Sequence, residues 1–155
     1  MKKSLLVLSL VALVLFACSP AASTSAPAAE TNWQTYTNAD VGFSIQYPAN
    51  WQEQDLPDEN DGQMHSIALN GPEGEIVLKW GVGFGGACPQ GYEQIAVAKG
   101  TVSACHTQKE DGTELWSLTG DPLGNTGFGG VAQTNDTSTA SRDLVLQIIS
   151  TLRFP

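Results

Sequence analysis

An alternation of apolar and polar residues with a period of two recurs along this chain, and it restricts the fold to one built on antiparallel sheet. Phe43, Ile45 and Tyr47 alternate with Ser44 and Gln46, and Ile76, Leu78 and Trp80 alternate with Glu75, Val77 and Lys79. The same period runs through Ile67 and Leu69, Ile95 and Val97, Val102 and Ala104, and Trp116 and Leu118. Successive side chains of a strand point to opposite faces, so each of these candidate strands offers one face to a core and one to solvent. Turn residues lie between them: Pro48, Asn60 to Gly62, Asn70-Gly71-Pro72, Gly100, Asp111-Gly112 and Asp121-Pro122. Asp111-Gly112, between two alternating runs, is the strongest hairpin signal. Near the end the period becomes helical, with Leu144, Val145, Ile148, Ile149 and Leu152 on one stripe behind Ser138 and Thr139 as N-caps. The expected fold class is α+β: an antiparallel sheet of about six strands with an amphipathic helix against it.

The start of the chain has a different character. Lys2 and Lys3 precede an apolar run from Leu5 to Ala17 broken only by Ser9, which is a charged and then a hydrophobic region of an export signal. The run is too short to span a bilayer, which takes about 20 apolar residues. Leu15-Phe16-Ala17-Cys18 resembles the lipobox cut by lipoprotein signal peptidase, so Cys18 is expected to carry acyl chains and to anchor the protein on a membrane. The competing reading is an ordinary secretory signal cut near Ala17 or Ala22. Ser19 to Thr31 is almost wholly Ser, Ala, Thr and Pro and cannot bury enough apolar surface to fold. The expected division is therefore residues 1–17 as lipoprotein signal peptide, 18–32 as lipidated cysteine and tether, and 33–155 as a single globular domain.

Cysteine parity points the same way. Of three cysteines, lipidation would take Cys18, leaving Cys88 and Cys105 for a structural disulfide in an oxidising, extracytoplasmic compartment. Their spacing is not C-x-x-C, and a zinc site would need more ligands nearby. The chain has 7 basic and 16 acidic residues, a net charge of −9, and loses Lys2 and Lys3 with the signal, which argues against nucleic acid as a partner.

Two segments at the edges of the domain carry a family resemblance. Val41-Gly42-Phe43-Ser44-Ile45-Gln46-Tyr47-Pro48-Ala49-Asn50-Trp51 and Ile148-Ile149-Ser150-Thr151-Leu152-Arg153-Phe154 resemble the conserved start and end of PsbP-like domains. The resemblance implies an antiparallel sheet flanked by helices, the PsbP-like sandwich. It implies little about activity, since members range from photosystem II assembly factors and a Ran-binding protein to bacterial lipoproteins without a known role. A fold of this kind does not transfer a function. Within the first motif, proline ends the strand and Trp51 is expected to fold back over the core edge.

Several stretches mimic chemistry. Gly81-Val82-Gly83-Phe84-Gly85-Gly86 satisfies G-x-G-x-x-G, but Ala87-Cys88-Pro89 follows where a phosphate-binding helix would begin, and no acidic residue lies near Thr101 to hold a ribose. Gly83, Phe84, Gly85 and Gly86 are better read as a flexible turn pinned by Cys88 and a candidate recognition loop. Glu53, Asp55, Asp58, Glu59 and Asp61 fail the calcium-loop spacing and read as a solvated loop. His65 and His106 fall in strand phase as hydrogen-bonded residues at a sheet edge, and neither clusters with enough ligands for a metal. No cofactor or metal is expected. The sequence favours an anchored, non-catalytic binding or accessory module, with an unknown protein or small ligand as partner. The alternative is an envelope hydrolase that assembles a site from the acidic loop and a histidine.

Overall fold

The structure is a computed structural model that describes residues 32–82, 86–123 and 126–155. Cys18, the signal and nearly all of the tether lie outside them. Nine strands and one helix follow in order: β1 (Trp33–Thr37), β2 (Ser44–Pro48), β3 (Gln52–Glu59), β4 (Met64–Asn70), β5 (Gly74–Gly81), β6 (Glu93–Ala96), β7 (Thr101–Gln108), β8 (Glu114–Leu123), β9 (Thr126–Thr134) and α1 (Thr139–Ser150). β1 and β2 form a two-stranded ribbon, and the other seven strands form one antiparallel sheet in the order β3-β4-β5-β9-β8-β7-β6. Every neighbour in that sheet is a hairpin partner except β5 and β9, so the chain closes its centre by bringing a late strand back beside an early one.

All six alternating runs are strands, with two differences from the expected sheet. The run through Phe43, Ile45 and Tyr47 belongs to the ribbon, and three further strands, β1, β3 and β9, complete the architecture. The acidic stretch is not a loop over most of its length: Gln52–Glu59 is the edge strand β3, and its exposed carboxylates are the charge that keeps an open sheet edge from pairing with another chain. Asp121-Pro122 interrupts no strand either. It falls within β8 at a register shift between Gly120 and Leu123, the kind of irregularity in which a sheet tolerates proline. Among the described residues there is one helix, not helices flanking the sheet, and none is long and apolar enough to cross a membrane.

One sheet face is the core face. Ile67, Leu69, Ile76, Leu78, Trp80, Val102, Ala104, Trp116, Leu118, Phe128 and Ala132 are buried there, under Val145, Ile148 and Ile149 of α1 and Phe43, Ile45 and Tyr47 from the ribbon. Phe43 is the hub, its ring centroid 5.3 Å from Trp80 and 5.5 Å from Phe128, both edge-on. Gly130 belongs to this centre because a Cβ there would lie 2.3 Å from the Val77 carbonyl oxygen of the neighbouring strand. The hairpin at Asp111-Gly112 forms as read, with Gly112 at φ +83° and the Asp111 carboxylate accepting the Thr113 amide at 2.9 Å. Trp51 is buried, its indole N–H donating to Glu73 Oε2 at 3.0 Å. The two motif segments, more than 90 residues apart in the chain, meet where Ser44 and Arg153 exchange backbone hydrogen bonds of 2.9 Å.

Helix α1 starts at Ser138, whose Oγ accepts the Ser141 amide at 3.1 Å. Asp136 braces the turn, accepting from the Ser138 amide at 2.7 Å and the Ser141 hydroxyl at 2.9 Å, and hydrogen bonds from Ser138, with Ser141, hold its carboxyl below the usual range. Ser138→Ala is expected to cost about 1 kcal/mol, read as a lower urea midpoint with an unchanged slope. A midpoint equal to that of the parent protein would mean that the cap contributes nothing.

Candidate functional site

The opposite sheet face has neither the helix nor the ribbon on it, and alternation decides which residues it displays. With Trp116 and Leu118 in the core, Ser117 and Thr119 of β8 face outward; the same parity gives Val131 on β9, Lys79 on β5, Met64 and Ser66 on β4, and Cys105 on β7. A disulfide joins Cys105 to Cys88, as the cysteine count led us to expect, and ties the segment from Gly86 to Tyr92 to the outer face of β7. A groove of about 450 Å³ lies between this segment and the sheet. Gly86, Ala87 and Tyr92 form its wall, and Ser117, Thr119, Val131 and the backbone at Leu118 and Gly130 its floor. The Tyr92 hydroxyl donates to the Gly86 carbonyl, which closes the wall on itself while 44% of the tyrosine stays exposed.

A bulge builds the charged end. Between Leu56 and Glu59 the β3–β4 register slips, so that Glu59, not Asp58, stands opposite Met64. Pro57 sits in the slip, where its missing N–H breaks no ladder bond. The extra residue sends the two carboxylates to different partners: Glu59 Oε1 reaches Lys79 Nζ at 2.8 Å on the groove side, and Asp58 Oδ1 lies 2.8 Å from His65 Nδ1. Ser66, across from Lys79 in the ladder, is 4% exposed, and its Oγ is the one buried side-chain polar atom without a hydrogen-bond partner among the described residues.

Of the proposed recognition loop, Gly86 lines the groove, and Gly83, Phe84 and Gly85 lie outside the described residues. His65 stacks on Trp80 at 5.8 Å, and His106 on Trp116 at 5.0 Å with Nε2 2.8 Å from Glu114 Oε2. Arg142 Nε adds a 3.4 Å contact to the same Glu114 oxygen. Both histidines stand at the margins of the core face, four strands apart and at opposite ends of the ladders, on the order of 20 Å from each other. The structure brings each histidine to one carboxylate, and neither to the other histidine or to the groove. Away from these, the Tyr47 hydroxyl donates to Glu53 Oε2 at 2.9 Å; burial, then that carboxylate, pushes its pKa up to about 12, so it remains a donor well above neutral pH. No group of three or more His, Cys, Asp or Glu arranged to hold a metal occurs among the described residues.

Tyr92, Met64, the Glu59–Lys79 pair and the Ser117 and Thr119 hydroxyls escaped the sequence reading. The available signal was weak: a lone aromatic beside Gly91, and hydroxyls alternating with Trp116 and Leu118. Compared with protein-family models, curated proteins and solved structures, the chain matches none.

Proposed function

We propose that this chain is a lipid-anchored, extracytoplasmic lipoprotein whose domain is a non-catalytic binding module of PsbP-like type, with the outer-face groove as its binding site. Anchoring rests on Leu15-Phe16-Ala17-Cys18 and the tether that follows. The family reading is supported by the contact between its two motif segments at Ser44 and Arg153. The binding part is carried by a single observation: of the three exposed large apolar side chains among the described residues, two, Tyr92 and Val131, line the groove. Exposed apolar groups gathered at a concave site mark binding surfaces more often than scattered ones do.

Two measurements test this. Cys18→Ser is expected to move the protein from the membrane fraction to the soluble fraction or to leave an unprocessed precursor; unchanged membrane association with the parent mature mass would overturn the anchor. A photocrosslinking residue at position 131 is expected to give a specific adduct in intact cells, and a control at the exposed position Asp143 of α1 is not. Equal labelling at both sites would remove the groove from the proposal.

A further inference from the structure

The groove's chemistry is specific enough to name a ligand class, on the reading that it is the binding site. Its aromatic wall is preorganised, because the Tyr92 hydroxyl is taken by the Gly86 carbonyl and the segment is tied to β7 through Cys88 and Cys105. The exposed part of that side chain adds ring surface, whose electron-rich face attracts weakly positive C–H groups. On the floor, the Ser117 and Thr119 hydroxyls make no hydrogen bond to any described residue and stand two positions apart on one strand, about 7 Å. Each offers one donor and two acceptor positions.

Charge decides what such a surface prefers. Glu59 and Lys79 are the groove's charged side chains among the described residues, and they neutralise each other at 2.8 Å, so the site exerts little net pull on an ion of either sign. The pair still offers ammonium donors and carboxylate acceptors side by side, which suits neighbouring hydroxyl groups. The chain's charge of −9 further disfavours an anionic ligand. An aromatic platform, free hydroxyls and a self-neutralised ion pair fit a molecule with an apolar C–H face and a rim of hydroxyls. We infer that the groove binds a short neutral oligosaccharide, one sugar ring stacked on Tyr92 and its hydroxyls meeting Ser117, Thr119 and the Glu59–Lys79 pair.

The test is calorimetric titration of the full-length protein with maltotriose, cellotriose and N-acetylated chitotriose, and with anionic trigalacturonic acid for comparison. At least one neutral trisaccharide is expected to bind saturably and more tightly than the acid. Tyr92→Ala should weaken it roughly tenfold, the loss of one aromatic contact. Thr119→Val, which keeps the shape and removes the hydroxyl, should weaken it with no change in urea midpoint. Absence of saturable binding by all three neutral sugars would overturn the inference, as would binding that both substitutions leave unchanged or preference for the acid. A specific crosslink at position 131 to a polypeptide, with no sugar bound, refutes the sugar and keeps the groove as a binding site; neither signal refutes both.

Discussion

Phe43→Ala is expected to lower the stability of the folded domain by about 3–5 kcal/mol. Phe43 is fully buried, and it is the residue through which the two sheets meet: the ribbon, with Tyr36 on its other strand at 5.8 Å, and the large sheet, through Trp80 and Phe128. Removing its ring leaves a void that cannot close locally, because Phe128 is held from the far side by Phe154 at 4.9 Å and Trp80 is a strand residue paired on both sides. A small domain has about 5–15 kcal/mol in total, so the variant is expected to sit near its unfolding threshold at room temperature. Urea unfolding followed by near-ultraviolet circular dichroism reads the result. A loss under about 1 kcal/mol would show that the ribbon is not part of the cooperative unit.

That hub was legible in the sequence only in part, and the reason is physical. Phe43, Ile45 and Tyr47 announced a strand because they alternate with polar residues, and so did the five runs that became β4 to β8. Alternation reports a buried face, though, not which sheet the strand joins. β9 is the central strand next to β5, yet its core-facing residues are Phe128, Gly130 and Ala132, too small on average to stand out, and Gly130 is small because Val77 approaches so closely. β3 fails to show for the opposite reason: as an edge strand it is exposed almost throughout, and its acidic residues protect the edge rather than mark a loop. Only the helix came through nearly whole, since its stripe and its Ser138 cap are both local signals.

The groove was less legible still. Its parts come from β3, β4, β5, β7, β8, β9 and a loop, and what joins them is strand order, which no local pattern encodes. The Glu59–Lys79 pair exists because a one-residue bulge at Pro57 and Asp58 turns Glu59 toward β5; counting residues along the acidic stretch would not find it. Cys88 and Cys105 are the exception, because their pairing follows from cysteine parity once Cys18 is set aside and needs no strand order.

Replacing both of these cysteines by serine is the other change with a large expected effect, and it separates fold from site. The disulfide closes a loop of 17 residues, and losing it should destabilise the domain by about 3 kcal/mol in the chain-entropy account, since the cost falls mainly on the greater freedom of the unfolded chain. The core face is expected to be spared, because neither cysteine belongs to the buried cluster that holds α1 and the ribbon on the sheet. Hydrogen exchange should therefore rise first in the segment from Gly86 to Tyr92, whose other ties to the sheet are few, while Ile76, Leu78, Trp116 and Leu118 keep their protection until global unfolding. Exchange that accelerates equally in the segment and in these core strands would show that the crosslink organises the whole sheet and not one wall of the groove. Segment-specific loosening would make the disulfide the element that holds Tyr92 over Ser117 and Thr119. Its contribution to binding would then be preorganisation, because neither sulfur has to touch a ligand for its removal to weaken the site.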